Sequence, residues 1–194
     1  MTQPPERCSW CGTDPLYVHY HDTVWGRPEY DDYALFEKLC LDGQQAGLSW
    51  ITILRKQQHY RDAYANFDPE KIARFTAQDE ARLLLNPGIV RNKLKVRSVI
   101  NNARGYLALQ ERDTPLSSFL WQFMDHKPLQ NQWRTMAEVP TQTPQSEAMS
   151  KALKKAGFTF VGPTIVYAFM QATGMVNDHL VSCPAHQACL QLSQ

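Results

Sequence analysis

Long apolar runs are missing from this chain. No window approaches the ~18 consecutive apolar residues of a membrane span, and the opening MTQPPERCSW has no apolar stretch of the kind a signal peptide carries. A cytoplasmic protein with no membrane partner is therefore expected. A paired cysteine framework is missing too. The five cysteines are odd in number and scattered, which argues against disulfides and for a metal site. Period-two alternation flanked by turn residues is almost absent, and no repeat or low-complexity tract occurs, so strands and solenoids are set aside. Net charge is only +1, so bulk charge indicates no polyanion partner.

What remains is helix punctuation around enough apolar residues, 43% of 194, for one sizeable core. FDPEKIARF offers Asp68 as an N-cap and Pro69 at the first helical position. In TAQDEARLLL, Asp79 follows Thr76 at capping-box spacing. DTPLSSFLWQF and TPQSEAMSKALKKAGF repeat the cap-then-proline pattern, with Gly157 stopping the second. GPTIVYAFMQATG runs from Pro163 to Gly174. Val96, Ile100, Ala103 and Leu107 form a stripe at helical spacing. The fold expected is all-α, with roughly eight to ten short helices in a single domain over 1–194. Residues 125–145, rich in proline, read as a long surface connection.

One charge of one sign is missing locally. From Ala81 to Gln110 there is no acid, but Arg82, Arg91, Lys93, Lys95, Arg97 and Arg104 are present. Inside this window LLLNPGIVRNKLKVRSVI reads as helix, turn and helix, ending near Asn86 and resuming near Arg91. Either it is a tight turn with a solvated basic face, or it is a helix-hairpin-helix gripping a phosphate backbone at a helix N-terminus. The missing acids favour the second. Gly88 would then permit close phosphate approach.

Cys8, Cys11, His21, His179 and Cys183 are candidate metal ligands. Two sets compete: Cys8, Cys11, His179 and Cys183, or Cys8, His21, His179 and Cys183. Spacing slightly favours the first. Either closes a tetrahedral sphere, so the metal would be structural and would tie the termini, about 1–25 and 175–194, together. Asp22 and Asp178 stand beside the histidines as orienting acceptors or turn caps.

Trp10, Tyr17, Tyr20, Trp25 and Trp50 crowd the N-terminal part of the chain. Stacked rings beside one carboxylate suit a flat cationic heteroaromatic ligand. The stretch LCLDGQQAGLSW supplies that acid, Asp42, in front of Gln44, Gln45 and Leu48.

DPLYVHYHDTVWGRP, LDGQQAGLSWITILRK, PGIVRNKLKVRSVINNARGYL and MSKALKKAGFTFVGPTIVYAFMQATGMVNDH together resemble the bacterial 3-methyladenine DNA glycosylase I family, from about Arg7 to Cys183. The resemblance implies an all-α helix-hairpin-helix DNA glycosylase fold acting on alkylated double-stranded DNA near the nucleoid. The implied product is 3-methyladenine and, less readily, 3-methylguanine. It implies one structural zinc per chain on Cys8, His21, His179 and Cys183, leaving Cys11 outside the ligand set. It implies a base pocket of Trp10, Tyr17, Tyr20, Trp25 and Trp50. Where the family has glutamate, this chain has Asp42, one methylene shorter. A contact to the base would lengthen, pass through water, or draw the base deeper.

In the expected mechanism the base is flipped out of the duplex. Leu48 wedges the vacated stack, or is a core leucine at a helix start. Gln44 and Gln45 meet the orphaned strand, and Gly88, Arg91, Lys93 and Lys95 hold phosphates. Asp42 recognises the cationic base electrostatically. No lysine stands out as a Schiff-base nucleophile, so a monofunctional, monomeric enzyme is expected. A non-catalytic binder of alkylated or distorted DNA is the alternative.

Overall fold

Local capping chemistry sets most helix starts in the computed structural model, which describes residues 6–192. The described residues form ten α-helices: α1 (Pro15–Thr23), α2 (Asp32–Gln45), α3 (Trp50–Ala63), α4 (Pro69–Ala73), α5 (Ala77–Leu84), α6 (Lys93–Gln110), α7 (Leu116–Trp121), α8 (Pro144–Lys155), α9 (Pro163–Ala172) and α10 (Pro184–Gln191). Asp68 accepts from the Glu70 and Lys71 amides at 3.0 and 3.2 Å. Thr76 with Asp79, and Thr143 with Ser146, form reciprocal capping boxes. The start of α7 differs from the expected pattern. Pro115 is at its cap position, and the Leu116 and Ser117 amides donate instead to Asp32, at 3.0 and 2.8 Å. That carboxylate lies at the beginning of α2, so it ties two helices far apart in sequence.

α2 is the central element and packs against α3, α6, α7 and α9. Its Leu35, Phe36, Leu39, Cys40 and Leu41 are buried, and so are the polar Asp42 and Gln44. It continues past Asp42 to Gln45. Gly43 is therefore a packing residue: a Cβ there would lie 3.1 Å from the Phe160 Cβ. The turn itself is made by Gly47, at φ +76°. The stripe on α6 buries Val96, Ile100 and Ala103, with α4 and α5 packed on that helix.

The segment 125–145 is less of a surface connection than its composition suggests. It contributes β1 (Leu129–Gln130), which pairs in parallel with β2 (Val176–Asn177). Asn131 and Trp133 donate to Asp178 Oδ1 at 2.7 and 2.8 Å, and Tyr167 and Gln171 donate to its Oδ2 at 2.6 and 2.9 Å. Asp178 thus fastens the connection to α9. Gly174, at φ +68°, closes α9. A Cβ there would stand 2.3 Å from the Arg27 carbonyl carbon.

The basic window is less free than its composition implies. Arg82 pairs with Asp79, Arg97 pairs with Glu80, and Arg104 donates to the Ala73 carbonyl. No helix is long and apolar enough to cross a membrane among the described residues.

Candidate functional site: an aromatic cavity beside a Cys/His cluster

Asp14 caps α1 through the Leu16 and Tyr17 amides at 2.9 and 3.3 Å, which sets the phase of that helix. Tyr17 and Tyr20 then point to the same side as the 3₁₀ turn Ser9–Cys11, which carries Trp10. Trp10 meets Tyr17 and Trp25 edge-on, with ring centres 5.1 and 5.0 Å apart, and Tyr20 lies 5.6 Å from Trp50. All five rings, with Asp42 and Gln45, line one cavity of about 210 Å³. That is smaller than the ~300–1,000 Å³ typical of small-molecule sites, and is scaled for a single flat ring system.

The carboxylate is almost wholly enclosed. Asp42 is 2% exposed at its side chain, and burial raises its pKa against the opposing pull of Lys38. Burial likewise lowers the Lys38 pKa, with Asp42 opposing. The Lys38 ammonium donates to Asp42 Oδ1 and sits 3.9 Å from the centre of the Trp50 ring. Asp42 Oδ2 and Trp50 Nε1 are buried without a hydrogen-bond partner. A buried orphan acceptor and a buried orphan donor lining one cavity are costly unless a ligand completes them. Ligand N–H and acceptor groups are what these two atoms lack.

Behind Trp10 and Trp25 the chain ends converge. The ligand atoms of Cys8, His21, His179 and Cys183, all buried, lie within 4.8 Å of one another. Cys8 Sγ is 3.7 Å from His179 Nδ1, and Cys183 Sγ is 3.7 Å from His21 Nε2 and 3.9 Å from His179 Nδ1. A tetrahedral zinc with bonds of ~2.3 Å to sulfur and ~2.05 Å to nitrogen separates S and N by about 3.6 Å, so the donor set fits. Both imidazoles are oriented from behind. His21 Nδ1 meets Asp22 at 2.7 Å, and His179 Nε2 meets the Trp25 carbonyl at 3.1 Å. The Cys183 thiol is pulled well below its ordinary value, first by the Cys8 thiol and then by His179 and His21, while Cys183 and burial push the Cys8 thiol up. Burial opposes charge on His21, but Cys183 and Asp22 outweigh it and raise its pKa.

Of the two ligand sets that spacing left open, the chain assembles the one with His21. Cys11 turns away, donating to the Cys8 carbonyl at 3.2 Å. His179 and Cys183 meet through a turn, closed by the Cys183 amide donating to the Leu180 carbonyl at 2.8 Å. Asp22 serves as the orienting acceptor. Asp178 accepts no hydrogen bond from the His179 ring and is instead the anchor already described.

Two residues expected at a DNA surface have other tasks. Gln44 is fully buried, and its amide donates to the Lys95 carbonyl at 3.0 Å and to Ser98 Oγ at 3.3 Å. Lys95 is 7% exposed, and its ammonium donates to the Gln44 and Ala46 carbonyls at 2.8 and 2.6 Å. It thus closes the C-terminal end of α2, where a cation complements the helix dipole. Gly88 also has a packing reason to be glycine. A Cβ there would lie 2.9 Å from the His59 Cβ of α3, and its amide already donates to Asn86 at 2.8 Å. Arg91 and Lys93 are exposed and engage no acid among the described residues. Leu48 is 41% exposed on the turn before α3, which removes the core-leucine reading. Sequence reasoning missed Lys38, and also Met136, Val139 and Gln171, which complete the cavity wall. Lys38 was detectable, since helical spacing puts it on one face with Asp42.

Fold and cavity together define a helical protein whose cavity sets five aromatic rings around a buried acid. Comparison gives that class a family. The family model described as Methyladenine glycosylase matches residues 10–186, and the chain belongs to this family. It is 52% identical over 178 residues to DNA-3-methyladenine glycosylase 1 of Escherichia coli (strain K12), covering 92% of this chain and 95% of that one. A crystal structure of a 3-methyladenine DNA glycosylase I superposes with a TM-score of 0.91 at 50% identity, covering 92% and 98% of the two chains. A Staphylococcus aureus 3-methyladenine DNA glycosylase I, solved for the structural basis of 3-methyladenine recognition, gives 0.90 at 42% identity, covering 92% and 95%.

Proposed function

We infer that this chain is a 3-methyladenine DNA glycosylase, hydrolysing the N-glycosidic bond of the alkylated base in double-stranded DNA and leaving an abasic site. One observation carries the reading: five rings converge on a buried carboxylate whose Oδ2 has no partner. Alkylation at N3 leaves the base cationic. Its face then gains from Trp and Tyr stacking, and its N–H groups gain from Asp42. A neutral adenine offers less to that carboxylate, so the cavity selects against undamaged bases. The cationic base is already a good leaving group. As the bond breaks, its electron pair passes to the base, and water adds at the sugar carbon. Asp42 therefore recognises and stabilises, and needs to supply no proton.

The rest of the chain presents the duplex to this cavity. Leu48 at the turn is placed to wedge the vacated stack, with Gln45 at the lip. The segment α5–turn–α6 is read as a helix-hairpin-helix. Within it the backbone amides of Arg91 and Lys93, unpartnered among the described residues, and both exposed side chains address phosphates. One zinc on Cys8, His21, His179 and Cys183 would clamp the N-terminal segment to the C-terminal one. With four protein ligands it leaves no position open for catalysis.

Lys38 is a lysine in the cavity, but its ammonium engages Asp42 and Trp50, the groups that address the base and not the sugar. A monofunctional enzyme follows. The test is methylated duplex DNA incubated with the protein. Chromatography should show free 3-methyladenine, with strands intact until alkali is added. Tight binding with no base released would favour the non-catalytic binder. Strand nicking, or borohydride trapping of a covalent adduct, would make Lys38 a nucleophile.

A further inference from the structure

The pairing of Lys38 with Asp42 is unusual for its spacing. An i,i+4 pair on a helix surface adds a few tenths of a kcal/mol. Here both groups are withdrawn from water, at 16% and 2% side-chain exposure, where desolvation offsets the attraction. Stability alone is a poor reason for such a pair. The position of the ammonium supplies another. It touches Asp42, the cavity carboxylate with an unpartnered oxygen, and lies over the Trp50 ring. These are the two features the cavity offers to a cationic base. Lys38 therefore occupies the charge position of the ligand, tethered by its own helix. It also has somewhere to go, because it lines the adjoining cavity of about 360 Å³, whose walls carry Glu29 and Glu37 alongside Arg27 and Arg61, the last paired with Glu37.

We propose that Lys38 is a counter-charge gate: it holds Asp42 between turnovers, yields to a cationic alkylated base, and reclaims Asp42 once bond cleavage has neutralised that base, so hastening product departure and disfavouring neutral purines. The proposal rests on the base-pocket reading above. Cleavage sends the glycosidic electron pair onto the base and cancels its charge. The base then loses its advantage over the ammonium, which has lost nothing.

The experiment measures the affinity of free 3-methyladenine, the neutral product, by tryptophan fluorescence, since Trp10, Trp25 and Trp50 line the cavity. It compares the wild type with Lys38→Met, Asp42→Asn and the double variant, each checked for fold by circular dichroism. Lys38→Gln substitutes if the Met variant does not fold. Lys38→Met should bind the product at least fivefold tighter, and its steady-state turnover should fall below its single-turnover rate as product accumulates. In the Asp42→Asn background the same substitution should change affinity by less than twofold, because the gate has no partner to hold. Unchanged or weaker binding by a folded Lys38→Met would overturn the gate while leaving the pocket reading intact. Absence of binding by folded wild type and variant alike would overturn both.

Discussion

Replacing Lys95 with methionine separates two tasks that a basic residue in this window can have. In the structure its ammonium donates to the Gln44 and Ala46 carbonyls at 2.8 and 2.6 Å, at the end of α2. Removing it leaves two largely buried carbonyls without a donor, each costing ~1–3 kcal/mol. It also removes a cation from a helix C-terminus, worth ~0.3–1 kcal/mol. Against this, a buried ammonium no longer has to be desolvated, which returns part of the loss. The net expectation is about 2–4 kcal/mol of destabilisation, read as a fall in the urea midpoint at unchanged m-value. The turn carrying Leu48 loses its anchor, so base release should slow even where the protein is folded. DNA affinity should keep its salt dependence. If Lys95→Met left stability unchanged but reduced the slope of log K against log salt by ~0.9, Lys95 would be a phosphate contact and the structural assignment would be wrong.

Arg91→Ala should give the reverse result, with stability within ~0.5 kcal/mol of wild type and a salt slope shallower by ~0.9. On the proposed zinc assignment, metal analysis should find about one equivalent in the wild type and none in Cys183→Ala, whose Tm should fall by roughly 10 °C or more; full metal content in the folded variant would contradict the ligand assignment. Gly174→Ala combines a left-handed φ of +68° with a Cβ 2.3 Å from the Arg27 carbonyl carbon. It should cost about 3 kcal/mol or more in thermal or urea unfolding, and a loss below ~1 kcal/mol would mean the backbone there relaxes freely.

Residues whose partners lie nearby were readable from sequence, and those with distant partners were not. Asp68, Thr76 and Thr143 cap helices within three residues of themselves, so spacing alone announced them. The cap of α7 is Asp32, 84 residues earlier, and nothing near Pro115 signals it. Gln44 and Lys95 looked like surface polar groups because each satisfies the other's element across 51 residues. The missing acids between Ala81 and Gln110 overstated the free charge, since Asp79 and Glu80 sit just outside that window and pair back into it. The aromatic cluster and Asp42 were legible as chemistry, and the fold brings them to one cavity. Among the metal candidates, spacing pointed toward Cys11, but three-dimensional convergence of the chain ends selects His21. Lys38 escaped notice because an i,i+4 Lys–Asp pair ordinarily marks a solvated face. Its neighbours Leu35 and Leu41, three residues to either side and both buried, held the contrary signal.

Asp42 is the group on which recognition of a cationic base depends most. Single-turnover release of 3-methyladenine from methylated duplex DNA, compared between the wild type and Asp42→Asn, tests it directly. Asn keeps the shape but loses the charge, so release should slow at least ~30-fold, about 2 kcal/mol of lost stabilisation, while DNA affinity holds. Release by the variant within ~twofold of wild type would show that the buried carboxylate does not recognise the base.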